Sequence, residues 1–192
     1  MHNTGQTGGT VDADIDAPEA WDIQTGDPDI IIAITDTGVD YSHPDLADNM
    51  WVNTDEQNGQ PDVDDDGNGY VDDIYGYDFA GAFNNDPTDG DSDPCDMHFH
   101  GTHAAGSAGA VGNNGEGVVG ICWNVKLMAL KIFADDRAIV PDLLVGDAVE
   151  AIGYAVDNGA RIINASWGGL DYSQSLYDAI AAAGDAGLLF VA

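Results

Sequence analysis

Apolar residues gather in four short runs separated by longer mixed stretches. Residues 30–34 read Ile-Ile-Ile-Ala-Ile, a run without alternation that suits a strand covered on both faces, as in a parallel sheet. Residues 126–133 alternate and predict a second strand, Ile162-Ile163 begin a third, and residues 188–192 begin a fourth. The stretches between carry a helical period. Over 141–158, Leu144, Ala148, Ala151 and Ala155 fall on one stripe, with Gly159 as the stop. Over 173–186, Leu176, Ile180 and Ala183 are in register. Residues 103–110 are small and helix-compatible. Residues 1–15 read as an extended arm. Asp16-Ala17-Pro18-Glu19 then predicts a capped helix start, with Ala20, Trp21 and Ile23 on its apolar side.

Strands alternating with helices predict an α/β fold of three layers, a mostly parallel sheet flanked by helices. The 192 residues suffice for one sizeable domain. The fourth run reaches the last residue, where ladder groups would lack partners, so the sheet is expected to be incomplete at the C-terminus and residues 1–192 to be a partial domain. Residues 45–97 break the pattern. They are rich in Asp, Asn and Gly and read as a long insertion, of a length that is usually functional or held by ions.

Charge sharpens this reading. The chain has 35 acidic and 4 basic side chains, a net charge of −31, and no Lys or Arg before Lys126. Such a field repels nucleic acid and anionic lipid, which excludes both as partners. It fits clustered carboxylates that bind cations, and equally a surface suited to a salty medium. No apolar run reaches the roughly 18 residues needed to cross a bilayer. The polar, Gly-rich start has no export-signal pattern. Cys95 and Cys122 leave a disulfide and two free thiols equally open.

In open parallel sheets, sites gather outside the carboxyl ends of the strands. Asp36-Thr37-Gly38 follows the first strand and Ser166-Trp167-Gly168-Gly169 follows the third. Asp36 follows an apolar run, so its carboxylate needs a partner; it reads as a turn cap or as an acid that orients an imidazole. His100-Gly101-Thr102-His103 opens a helix of small residues. The helix dipole at that end disfavours imidazolium, and a neutral ring serves as a general base.

Asp36 and His100, in that order, resemble the subtilisin-like serine proteases. The matching segments are Ile34-Thr35-Asp36-Thr37-Gly38-Val39-Asp40, His43-Pro44-Asp45-Leu46, His100-Gly101-Thr102-His103 and Asn164-Ala165-Ser166-Trp167-Gly168-Gly169. The resemblance covers residues 3–192. It implies a secreted, monomeric serine endopeptidase acting on protein or peptide substrates, with Asp36 orienting His100 as the base and His103 structural. Ser166, Trp167 and Gly168 would pair with an extended substrate and line its specificity pocket, opposite a strand beginning near Val118-Val119-Gly120. The family's nucleophilic Ser and oxyanion Asn would lie beyond Ala192, so the chain alone is expected to be inactive.

Metal ligands are expected in the insertion. Asp64-x-Asp66-x-Asn68-Gly69-Tyr70-x-Asp72-Asp73 has the alternate-oxygen spacing of a calcium loop, with Val71 as its apolar anchor. Asp62-x-Asp64-x-Asp66 is a second register, with Asp73 at its twelfth position. By resemblance, Asp45 and Asn114, with carbonyls of Gly112, Glu116 and Val118, would hold a second calcium. Two rivals remain: a zinc hydrolase using His98-x-His100-x-x-His103, and a calcium-binding peptide-recognition module without catalysis.

Overall fold

The structure is a computed structural model and describes residues 3–5, 8–80, 90–134, 145–169 and 171–192. Five parallel strands form one sheet in the order β2-β3-β1-β4-β5. They are β1 (Gly26–Asp36), β2 (Gly76–Asp78), β3 (Asn124–Lys131), β4 (Ile162–Asn164) and β5 (Leu189–Val191). The helices are α1 (Ala17–Trp21), α2 (Thr54–Gln57), α3 (His100–Gly109), α4 (Val145–Asp157) and α5 (Gln174–Asp185).

The unbroken apolar run of β1 has a simple cause: both faces of the strand are covered. Ala33 faces one core with Met128, Leu130 and Ile163, capped by Ala148, Ala151, Ile152 and Ala155 of α4 and Ala183 of α5. Ile32 and Ile34 face a second core with Leu127, Ala129, Val39, Leu46, Met50 and Ala105 of α3. Helices on both faces make the predicted three layers. Each fully buried Ile or Leu contributes about 1.5–3 kcal/mol.

Several local expectations change. Asp16 sits at φ +50 and its side chain does not cap α1; the Asp14 carboxylate instead accepts the Asp16 N–H at 2.7 Å. Helix α1 buries Ala17 and leans Trp21 on Trp123 (centroids 4.8 Å apart), while Ala20 is exposed and Ile23, beyond the helix end, is 88% exposed. Five residues are too short for the apolar stripe that was expected. The 45–97 stretch is not all loop, because α2 and β2 lie within it and β2 pairs with β3 through Gly76, Tyr77 and Asp78. The stripe on α4 holds at Ala148, Ala151 and Ala155; Leu144 and the rest of 141–144 lie outside the described residues. For α5, Ser173 is the cap, accepting the Leu176 N–H at 3.3 Å.

Candidate active site

Asp36 is the last residue of β1 and His100 the first of α3, so the end of a strand and the start of a helix bring them together. Their side chains meet at 2.7 Å between Asp36 Oδ1 and His100 Nδ1. Asp36 is 1% exposed, while the His100 side chain is 47% exposed. A carboxylate only accepts, so Nδ1 carries the proton and Nε2 is left as the basic nitrogen on the exposed part of the ring. The Thr37 N–H also donates to Asp36 Oδ1, at 2.7 Å. Asp36 Oδ2 is buried with no partner among the described residues.

Glycine permits this contact. A Cβ at Gly101 would lie 2.1 Å from the Gly38 carbonyl oxygen and 2.9 Å from Asp36 Cβ. Gly38, at φ +99, lies against the carbonyl of Pro94, 2.5 Å from where its own Cβ would be. Both positions need the missing side chain for close approach.

Asp96 was not singled out in the sequence, and it organises the entry to α3. Its Oδ1 accepts from Thr37 Oγ1 (2.9 Å) and from the N–H groups of His98 (2.8 Å) and Phe99 (2.9 Å). Its Oδ2 accepts from the N–H (2.9 Å) and hydroxyl (2.7 Å) of Thr102. Burial works against its charge, but these donors outweigh burial and hold the carboxyl below its usual range. Thr37 Oγ1 in turn accepts the Gly101 N–H at 3.0 Å, so Asp96, Thr37 and α3 form one network beside the pair. The usable signal was an Asp four residues ahead of a helix-opening His.

His100 borders a cleft of about 310 Å3 together with His103, Ser107, Ile121, Asn164 and Ser166. Ser166 is exposed there and accepts a bond from the Asn164 amide at 3.0 Å. Gly168 is exposed and open. Trp167 turns back onto β1: its indole N–H donates to the Thr35 carbonyl at 2.8 Å and the ring packs on the core. Val118 and Val119 line a second, larger cavity of about 680 Å3, with His43, Met97 and Phe99. His103 is exposed and borders both spaces.

The three histidines do not converge. Phe99 at φ +115 bends the chain just before α3, His98 stacks on it with centroids 4.3 Å apart, and His100 turns to Asp36. The zinc reading of His98-x-His100-x-x-His103 is corrected accordingly. Among the described residues, the one group offering three such ligand atoms within 4.8 Å of one another is Glu56, Asp64 and Asp66.

That group includes both central residues of the predicted loop and adds Glu56, which the sequence reading lacked because it lies on α2, eight residues ahead. Asp64 accepts from the N–H groups of Gly67 (2.6 Å), Asn68 (3.1 Å) and Gly69 (2.9 Å). Asp66 accepts the side-chain amides of Asn53 (2.9 Å) and Asn68 (3.1 Å). Asp62 is not in the group; it donates its N–H to Asp72 at 2.9 Å. Asp73 is fully buried and engaged by Asn53 (2.8 Å), Asn68 (2.9 Å) and the Tyr154 hydroxyl (2.5 Å). Burial raises its carboxyl above the ordinary range although these donors pull the other way. Tyr70, not Val71, anchors the loop: its ring meets Tyr77, Phe79 and Tyr154 edge-on, and its hydroxyl donates to Glu150 at 3.0 Å. Val71 points outward at 41% exposure. Elsewhere, the buried Asp45 accepts from the Asn114 amide and the Val118 N–H, both at 2.8 Å. Cys95 and Cys122 are free thiols.

No described helix is long and apolar enough to cross a membrane. A family model, the Subtilase family, matches residues 27–192. Subtilisin-like protease 1 of Plasmodium vivax is 40% identical over 159 residues, covering 83% of this chain and 23% of that protein. Thermitase of Thermoactinomyces vulgaris is 32% identical over 178 residues, covering 93% of this chain and 51% of its own length. The crystal structure of fervidolysin from Fervidobacterium pennivorans superposes with a TM-score of 0.63 at 29% identity, over 90% of this chain and 22% of that one. The chain therefore spans from about a quarter to about half the length of these relatives. With its parallel sheet, its Asp36–His100 contact and a family match over most of its length, the chain belongs to the subtilase family.

Proposed function

We propose that this chain supplies the acid and base of a serine endopeptidase acting on protein or peptide substrates. The observation that carries this reading is the 2.7 Å contact between a buried carboxylate and a half-exposed imidazole that borders an open cleft. In that role His100 takes the proton of a serine hydroxyl as it attacks the scissile carbonyl and returns it to the leaving amine. Asp36 holds the tautomer and stabilises the imidazolium. Ser166, Trp167 and Gly168 pair with the extended substrate through their backbone, and Ser166 sharing the His100 cleft supports that placement. The family's serine has no counterpart among the motifs of these 192 residues, so the chain by itself is expected to leave peptides intact.

Calcium is the proposed cofactor. Three carboxylates with oxygens within 4.8 Å suit a hard cation of flexible coordination. Glu56, Asp64 and Asp66 would hold it, with Asn68, Tyr70 and Asp73 supporting the loop; Asp45 and Asn114 would frame a second ion. The ion would supply charge neutralisation and hold the 45–97 insertion in place. Protein substrates and a calcium-held loop fit a secreted enzyme.

The test uses this chain joined to a segment that supplies the family's serine. His100→Ala and Asp36→Asn should each lower kcat by about 10⁴-fold. Peptidase activity that survives His100→Ala would sink the proposal.

A further inference from the structure

Lys131 ends β3, and in the parallel register it lies opposite Asp36. Its side chain is 3% exposed, in a chain with only four basic residues. Burying an ammonium is costly unless it is paired and hydrogen-bonded. Here it pairs with Asp78 Oδ2 at 3.2 Å and donates to the Cys95 carbonyl at 3.1 Å. Asp78 is the last residue of β2, itself buried, and its Oδ1 accepts the Ala80 N–H at 2.9 Å.

The two partners grip opposite ends of one short segment. The Asp78 backbone exchanges both hydrogen bonds with Asp91, at 2.8 and 2.9 Å. Lys131 Nζ holds Cys95 four residues later. Between them, the Pro94 carbonyl accepts the Val39 N–H at 2.9 Å. The next residue after Cys95 is Asp96, whose carboxylate fixes Thr37 and the start of α3. A well-packed apolar pair would be at least as stable as a buried ion pair. What apolar side chains could not do is donate to a carbonyl at one defined point.

We infer that Lys131 is a positioning residue: clamped by Asp78, it fixes the Cys95 carbonyl and, through Asp96, sets His100 against Asp36. The inference rests on reading Asp36 and His100 as the catalytic pair, and its test separates the two.

The variant pair Lys131→Met with Asp78→Asn removes the ammonium without stranding a buried charge. It is made in this chain joined to a segment that supplies the family's serine. The Nδ1–H proton of His100, hydrogen-bonded to a carboxylate, gives a far-downfield NMR resonance that reports the Asp36 contact directly. The expected result is a folded protein, by calorimetry, in which that resonance moves or broadens and kcat falls about 100-fold with KM little changed. A folded pair with the parental resonance and kcat overturns the inference. Should the pair not fold, Lys131→Arg is read in its place. Its planar fork cannot reproduce the single-point geometry, so the resonance should shift, and an unchanged resonance overturns the inference equally. If His100→Ala leaves the rate intact, the catalytic reading itself fails; an unchanged resonance in the Lys131 variants removes only the positioning role.

Discussion

The Asp36–His100 pair and the acidic loop of residues 53–73 both depend on carboxylates, yet they are built differently. Asp36 is carried by a strand packed on both faces, and His100 by a helix seated on the second core. Their 2.7 Å contact rests on sheet and helix geometry. The loop has less such support, reaching the core only through the buried Asp73 and the ring of Tyr70. Glu56 holds it from within, accepting the N–H groups of Asp65 (2.7 Å), Asp66 (3.1 Å) and Asp72 (2.9 Å), and Tyr70 is its main apolar anchor. The first region is fixed by burial and the second by charge bonded to its own amides. Packing and ion binding should therefore act on them separately.

The largest effect is expected from Gly101→Ala. The added methyl would meet the backbone carbonyl of Gly38, which has no flexible end to move aside. Overpacking of this kind costs about 3 kcal/mol, measured by urea unfolding, and the downfield His100 resonance should be lost with it. The calcium response of the loop should be unchanged; if it is abolished, the two regions are not independent. Calcium removal should come next. An ion at about a hundred times its Kd contributes about 2.7 kcal/mol, so chelation should lower the melting temperature while leaving the His100 resonance in place. Asp64→Asn should remove most of that response, and an unaltered melting curve on chelation would break the contrast.

The smallest effect concerns Asp147, at the start of α4. Burial, aided by the neighbouring Glu150, pushes its carboxyl up to about 6 from the ordinary 3.8. A carboxyl raised by folding binds its proton more tightly in the folded chain. Its contribution is full below the unfolded value and is lost as pH rises through about 6. Asp147→Asn should therefore raise the melting temperature slightly at about pH 8 and leave it unchanged near pH 4. A rise of equal size at both would sink this account.

Much of the scaffold was legible because its signals are local. The run at 30–34 marks a strand covered on both faces, and the stripes on α4 and α5 mark their buried sides. Asp36 and His100 stood out because each lies where an element begins or ends. Glu56, Asp96 and the Lys131–Asp78 pair did not stand out, since the contacts Glu56–Asp66, Lys131–Asp78 and Asp96–Thr37 span 10, 53 and 59 residues and no periodicity encodes them. Strand β2 was missed because three residues, Gly76–Asp78, in an Asp- and Gly-rich setting carry no pattern. Val71 was mistaken for the anchor because spacing alone could not show that Tyr70 reaches the aromatic cluster from the adjacent position.

The Asp96 network has a consequence for how this surface can change. One carboxylate takes the backbone amides of His98, Phe99 and Thr102, so the course of the main chain into α3 owes nothing to the side chains of Met97 and Phe99, which stand exposed. This wall of the larger cavity is thus decoupled from its foundation. Its shape and greasiness can be rewritten, residue by residue, while the base beneath keeps its bearing.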